Sequence, residues 1–236
     1  MEILVVVPTY NEADNLPGLV AALAGLGLDL GLLVVDDASP DGTGELAQQL
    51  GQTYPWLSLL RRAGKLGLGS AYVEGFAWAL ANTRASFVVQ MDADFSHDPR
   101  AVPSLVRAAL GGAVAIGSRY VPGGRVRNWG LGRRLLSRGG SLYSRLILGL
   151  PLKDVTGGFK CWPRRVLESL DLGRVVSDGY GFQVEMNYRA HRAGCRLVEV
   201  PICFEDRRVG QSKMTLGIGL EALTMVWRLR LQKDLR

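Results

Sequence analysis

Two pairs of carboxylates in this chain have the type and spacing to do chemistry. Asp92-Ala93-Asp94 follows a hydrophobic run, where a turn at a strand end lets both acids face one ion. Hard oxygen donors with no cysteine nearby suit Mg²⁺ or Mn²⁺, which keep waters and take substrate phosphates as further ligands. His97 lies close by, but one imidazole without a second soft ligand does not argue for zinc. Asp36-Asp37 ends another apolar run. A carboxylate there can accept hydrogen bonds from a nucleoside's ribose or base, or cap the helix that follows, as could Asp41 or Thr43. Capping suits Asp41 better, because Asp37 is still close to the strand. Tyr10 and Glu12 are equally double-valued, since an aromatic beside a strand end either stacks a base or packs. The loop Gly64-Lys65-Leu66-Gly67-Leu68-Gly69 fails as a Walker A, because Leu66 follows Lys65. It fails as a dinucleotide loop because Tyr72 stands where a third glycine is needed. Loop flexibility and close backbone approach to a ligand both stay open. His97 and His191, the two histidines, have no serine or cysteine partner, and structural roles fit them.

These residues need elements to position them. The spacing predicts strands at 3–7, 32–35, 57–60 and 87–91, alternating with helices at 15–24, 43–50 and 70–81. The last helix carries Tyr72, Phe76 and Leu80 on one face. Such alternation implies βαβ units and a mostly parallel sheet flanked by helices. Ligands then bind beyond the carboxyl ends of the strands. Three of those ends are oxygen-rich: Thr9-Tyr10-Asn11-Glu12, Asp36-Asp37 and Asp92-Ala93-Asp94. The second half is less regular. A strand at 113–116 leads into Gly117-Ser118-Arg119-Tyr120, and residues 122–134 are rich in Gly and Arg. Residues 135–150 have helical spacing, with Arg138, Ser141 and Arg145 on the polar face. A strand is predicted at 197–204 and a helix at 214–231. No internal repeat or domain boundary stands out, so the expectation is one α/β domain over 1–236, its first half (1–112) carrying the acidic strand ends and its second half (113–236) the arginine stretch.

A net charge of +6 points to an anionic partner: nucleic acid, a phosphorylated substrate or a membrane surface. Between residues 119 and 145 stand Arg119, Arg125, Arg127, Arg133, Arg134, Arg138 and Arg145, with no Asp or Glu. The plain alternative is a solubilising face. Cys161, Cys195 and Cys203 are odd in number and have no C-x-x-C spacing, so neither zinc nor a disulfide framework is indicated and a reducing compartment fits. The chain opens without a signal-peptide pattern. The longest apolar stretch, 214–227, contains Glu221 and is too short for a membrane span.

The series Pro8-Thr9-Tyr10-Asn11-Glu12, Val35-Asp36-Asp37, Met91-Asp92-Ala93-Asp94, Gly117-Ser118-Arg119-Tyr120, Ser137-Arg138-Gly139, Asp154-Val155-Thr156-Gly157-Gly158-Phe159 and Gln211-Ser212-Lys213 resembles the family 2 glycosyltransferases of GT-A (Rossmann-like) fold. More narrowly it is similar to their dolichol-phosphate (polyprenol-monophosphate) mannose synthase branch, from residue 3 to about 220. The resemblance implies transfer of mannose from GDP-mannose to a dolichyl or polyprenyl phosphate, with inversion. It implies that Pro8, Tyr10, Glu12, Val35 and Asp37 hold the guanosine. Asp92 and Asp94 would bind Mg²⁺ or Mn²⁺, lined by the Ala93 backbone. Some relatives add a Gln ligand; Ser96 stands there in this chain, so a water could replace it. Arg119, Arg207 and Lys213 would meet the diphosphate or the acceptor phosphate. Arg133 and Ser137 would bind the acceptor phosphate, with Arg134 and Arg138 close beside them. The catalytic set implied is Asp94, Arg119, Arg133 and Ser137.

The reaction so implied needs no general base, because a phosphate monoester is already largely dianionic at pH 7. Seven arginines without a counter-acid suit the clamping of such an acceptor. The lipid acceptor implies a membrane surface as partner, on its cytoplasmic side, with the 135–150 helix and the basic end at 228–236 resting on headgroups. An ordinary core-facing helix is the alternative for 135–150. Some relatives carry transmembrane helices beyond the catalytic domain. The sequence ends at Arg236 without them, so the expectation is a peripheral protein, a subunit with a small membrane-anchoring partner, or a shortened chain. Three rivals remain. A polyprenyl-phosphate glucosyltransferase is the nearest. A processive synthase lacks its Q-x-x-R-W motif. A non-enzymatic basic module binding nucleic acid or membrane would explain the charge but not the three acidic strand ends, which repel polyanions without a metal.

Overall fold

A computed structural model describes residues 1–205 and 216–232; for Tyr180 and residues 216–223 it describes the backbone alone. The first half alternates strand and helix: β1 (Ile3–Thr9), α1 (Leu16–Ala24), β2 (Leu30–Asp36), α2 (Thr43–Thr53), β3 (Leu57–Arg61), α3 (Leu68–Asn82) and β4 (Phe87–Gln90). It continues with α4 (Val102–Ala109), β5 (Val114–Ser118), β6 (Arg125–Arg127), α5 (Leu131–Leu148), β7 (Lys160–Pro163) and α6 (Arg164–Ser169). The remaining elements are α7 (Gly179–Arg192), β8 (Leu197–Pro201), β9 (Cys203–Glu205) and α8 (Leu216–Leu231). Seven strands form one sheet in the order β3-β2-β1-β4-β7-β5-β8, and β6 pairs with β9 in a separate ribbon. All pairings are parallel except those of β7, which runs antiparallel to β4 and β5.

Apolar side chains on both faces explain the uninterrupted hydrophobic runs of the inner strands. In β1, Ile3, Val5 and Val7 pack with α1, α2 and α4, whereas Leu4 and Val6 pack with α3, α6 and α7. That alternation is the two-residue period of a strand. Helix α3 approaches the sheet closely at Gly75, where a Cβ would sit 2.6 Å from Val6 Cγ1. The approach brings Tyr72 of α3 over the end of β4.

Four features depart from the sequence reading. The predicted strand at 197–204 is two strands: Pro201 pairs at the sheet edge and lacks an N–H donor, and beyond Ile202 the chain joins the ribbon with β6. Strand β7 has no strand-like pattern, yet it lies inside the sheet. Helix α7 is buried on nearly every side, so its polar residues hide any amphipathic period. Helix α5 begins at Leu131 and turns its leucines outward. Leu131, Leu135, Leu142 and Leu146 are 77%, 70%, 53% and 71% exposed, while Ser141, Ser144 and Leu148 face the core. Tyr143, Ile147 and Leu148 of the same helix pack on the core, so α5 has a core-facing side beside its exposed leucines. Among the described residues no helix is long and apolar enough to cross a membrane.

Candidate active site

The parallel strands β1, β2 and β4 end at one edge of the sheet, and each is followed by a residue in the left-handed region: Asn11 (φ 60°), Ala38 (φ 53°) and Phe95 (φ 60°). Each non-glycine residue so held costs on the order of 1 kcal/mol. Hydrogen bonds across the edge offset that strain. The Thr9 hydroxyl donates to Asp36 Oδ1 at 2.9 Å, the Ser39 hydroxyl to the same oxygen at 2.6 Å, and the Asp37 amide to the Thr9 carbonyl at 3.0 Å. Asp41 binds the start of α2 as expected, accepting from the Thr43 amide at 3.1 Å and its hydroxyl at 2.6 Å. Burial works against its charge, but these donors and the Ala13 amide outweigh it and hold the carboxyl below its usual range.

At the end of β4 the two candidate metal ligands sit in one turn. Asp94 is buried and accepts the Ser96 amide at 3.0 Å, which closes the turn between them. Asp92 is 30% exposed; its Oδ1 accepts the Tyr72 hydroxyl at 3.1 Å. The Asp92 amide donates to His97 Nδ1 at 3.1 Å. Burial holds the His97 pKa down, so the ring is neutral with its proton on Nε2, and its approach to the Asp92 carboxylate is no salt bridge. His97 stacks on Phe159 with centroids 4.9 Å apart. Its role is structural, as its sequence context implied. The donor set fits a hard divalent cation: two carboxylates in one turn with Ser96 beside them, hard oxygen donors without a thiolate. No group of three His, Cys, Asp or Glu able to cage a metal exists among the described residues. A cation here would complete its shell with water and substrate oxygens.

At the nucleotide edge, Lys65 Nζ lies 3.8 Å over the Tyr10 ring. Glu12 Oε2 accepts from Asn15 at 2.7 Å, and the Glu12 amide donates to the Thr43 hydroxyl at 3.0 Å. Pro8 is half-buried at the end of β1. The Val35 and Ala93 side chains are buried in the core, so neither is presented to a ligand. Asp37 has protein partners. Arg62, just past β3, pairs with its Oδ1, and the amides of Leu66 and Gly67 donate to Oδ2 at 3.1 and 3.3 Å. Arg62 is itself buried, and also binds Glu74, the Ser70 hydroxyl and the Gly67 carbonyl. The Gly69 amide donates to Asp178 at 2.6 Å. The glycine-rich loop is thus tied down by two carboxylates, and three of its amides are already committed. Gly67 (φ 102°) has no room for a side chain beside Asp178. Arg62 had one sequence signal: it stands just past the predicted strand at 57–60, as Asp37 stands just past that at 32–35.

On the acceptor side Arg119 differs most from expectation. Its guanidinium is buried and grips Asp154 bidentately, Nε to Oδ2 at 2.7 Å and Nη2 to Oδ1 at 2.6 Å, with Thr156 Oγ1 at 2.9 Å from Nη2. The arginine stretch therefore does have a counter-acid, supplied by a residue just outside it. Tyr120 donates to the Ser137 hydroxyl at 2.7 Å, and Arg133 lies 4.1 Å over the Trp129 ring. A cleft of about 190 Å³ is lined by Arg119, Tyr120, Gly124, Arg125, Val126, Arg134 and Arg138. Arg134 and Arg138 line it; Arg133 and Ser137 are turned to Trp129 and Tyr120. Among the described residues Arg134 Nε and Trp129 Nε1 are buried without a hydrogen-bond partner, so both could donate to an anion. Arg207, Lys213 and the rest of the Gln211-Ser212-Lys213 element lie outside the described residues.

A model of "Glycosyl transferase family 2" matches residues 4–171. The chain is 45% identical over 228 residues to the undecaprenyl-phosphate mannosyltransferase of Micrococcus luteus, covering 97% of this chain and 93% of that one. It is 46% identical over 235 residues to the polyprenol monophosphomannose synthase of Mycolicibacterium smegmatis, covering 98% and 88%. Among solved structures it is similar in fold, at TM-score 0.70 and 22% identity, to glucosyl-3-phosphoglycerate synthase from Mycobacterium tuberculosis, described in complex with Mn²⁺, UDP-glucose and phosphoglyceric acid; the match covers 98% of this chain and 80% of that one.

Proposed function

Since the chain belongs to glycosyl transferase family 2, we propose that it moves mannose from GDP-mannose to a polyprenyl phosphate, with inversion, releasing GDP. One observation carries the reading: an acidic turn fit for a metal diphosphate and an arginine-lined cleft open from the same sheet, two strands apart. The mannosyltransferases at 45% and 46% identity support the choice of sugar and of a lipid phosphate.

In the proposed step a phosphate oxygen of the acceptor forms a bond to the anomeric carbon, while the bond from that carbon to the β-phosphate oxygen breaks and its electron pair leaves on GDP. The attacking phosphate is largely dianionic at pH 7, so no proton has to be removed. Asp92 and Asp94, with Ser96 beside them, would hold Mg²⁺ or Mn²⁺, which when bound supplies positive charge to the leaving diphosphate. Arg134 and Arg138 would hold the acceptor phosphate from the cleft, with Arg133 and Ser137 one turn-face away. Arg119 would act mainly by fixing Asp154 and the cleft wall. Tyr10, Glu12 and the backbones of Pro8, Val35 and Ala93 would border the guanosine, with Asp37 shaping that edge through Arg62 and the glycine-rich loop.

The protein would work as a peripheral protein on the cytoplasmic face of a membrane. The outward leucines of α5, flanked by Arg138 and Arg145, support this. So do three free cysteines. The test is incubation with a polyprenyl phosphate and radiolabelled GDP-mannose, GDP-glucose or UDP-glucose, followed by lipid extraction. Label should enter the lipid from GDP-mannose; label entering only from UDP-glucose would overturn the sugar assignment. GDP should bind more tightly with Mn²⁺, and Asp94→Ala should abolish that gain.

A further inference from the structure

We propose that the Tyr72 hydroxyl is a positioning group for Asp92, holding its carboxylate ready for the metal that the proposed function requires, on which this inference rests. Tyr72 is fully buried on α3, and its ring stacks on Phe182 (centroids 5.6 Å apart, planes within 7°) and on Phe76 (5.8 Å). The two rings leave the phenol no freedom to swing. A buried phenol needs a hydrogen-bond partner, and among the described residues it donates to Asp92 Oδ1 at 3.1 Å.

Asp92 is the member of the pair that needs orienting. Asp94 is buried and fixed by the Ser96 amide, while Asp92 is more exposed and would otherwise sample several rotamers. His97 holds the Asp92 main chain through its amide, and Tyr72 holds the side chain. The two grips come from opposite sides of the β4 end: the stacked His97–Phe159 pair on one side, the Tyr72–Phe182 pair on the other. Partners of this kind, one bond behind a ligand, typically change metal affinity by 10- to 100-fold when removed. Nothing in the sequence distinguishes this role from core packing, since Tyr72 sits on the apolar face of α3 with Phe76.

The experiment compares Mn²⁺ dissociation constants, measured on the full chain with and without GDP, for wild type, Tyr72→Phe, Phe76→Leu and Asp92→Ala. Tyr72→Phe removes one oxygen and no packing. It should weaken Mn²⁺ about tenfold, leave metal-free GDP binding and the melting temperature near wild type, and regain turnover at higher Mn²⁺. Phe76→Leu disturbs the same packing but keeps the hydroxyl, and should bind Mn²⁺ like wild type. An unchanged Mn²⁺ affinity in Tyr72→Phe, or an equal loss in Phe76→Leu, overturns the role of the hydroxyl while the metal reading stands. Failure of the wild type to bind Mn²⁺, or wild-type binding by Asp92→Ala, overturns the metal reading and this inference with it.

Discussion

Asp154→Ala should destabilise the protein far more than a typical surface change, because it strands the Arg119 guanidinium. The carboxylate takes three hydrogen bonds from Arg119: Nε at 2.7 Å, Nη2 at 2.6 Å and the backbone amide at 2.9 Å. Both side chains are out of water, at 5% and 0% exposed. Removing one partner of a buried pair costs about 3–5 kcal/mol, most of it the penalty of an uncompensated charge. Thr156 Oγ1 and the nearby faces of Tyr120, Trp129 and Phe204 remain to Arg119, which argues for the lower end, about 3 kcal/mol. That is a large share of the 5–15 kcal/mol of a typical domain. In urea, with a slope of about 2–3 kcal/mol/M, the unfolding midpoint should fall by about 1 M. The double variant Arg119→Met/Asp154→Leu should recover most of the loss, since an apolar pair of similar volume replaces a buried ion pair at little cost. A wild-type midpoint for Asp154→Ala, or purely additive effects in the cycle, would refute the pairing and return Arg119 to direct phosphate binding.

Burial lowers the Lys160 pKa from 10.5 to about 7, although Asp154 pulls it the other way. Between those values the unfolded chain carries the proton and the folded one does not, so stability should rise by about 1.4 kcal/mol per pH unit from pH 7 to about 9. Urea midpoints at pH 7, 8 and 9 should show that slope in wild type and its loss in Lys160→Met. Serine at Leu135, Leu142 and Leu146 together should leave the melting temperature unchanged but weaken sedimentation with anionic vesicles. At about 1 kcal/mol per leucine the loss is about 100-fold; unchanged vesicle binding would place the membrane contact elsewhere. Arg62→Met leaves Asp37 buried with only the loop amides as donors. It should cost about 3 kcal/mol of stability and raise the KM for the donor more than it lowers kcat, as thermal melts and steady-state rates would report.

Much of the first half was legible from local pattern. Strands buried on both faces must be apolar throughout, and helices between them keep one apolar stripe, so residues 1–90 declare their order. The carboxylates of Asp92 and Asp94 stand out because acids directly after such a strand have few structural uses. Strand β7 and helix α7 were illegible for one shared reason. Their buried polar residues serve one another: Lys160 Nζ donates to Gln183 Oε1 at 2.8 Å, Gln90 Nε2 to the same oxygen at 2.7 Å, and Arg189 pairs with Glu185. In sequence these residues look like surface.

Composition and spacing alone determined the sheet's parallel half, the acidic edge and the presence of an arginine-rich segment, because each is written in residues within one or two turns of one another. Which charges are spent inside the protein was decided by the tertiary structure. Arg119 meets Asp154 across 35 residues, Arg62 meets Asp37 across 25, and Gly69 meets Asp178 across 109. Sequence periodicity could show that α5 has an apolar face, but the direction of that face depends on which side of the helix the rest of the chain covers. The fold covers Ser141, Ser144 and Leu148, and leaves Leu131, Leu135, Leu142 and Leu146 outside.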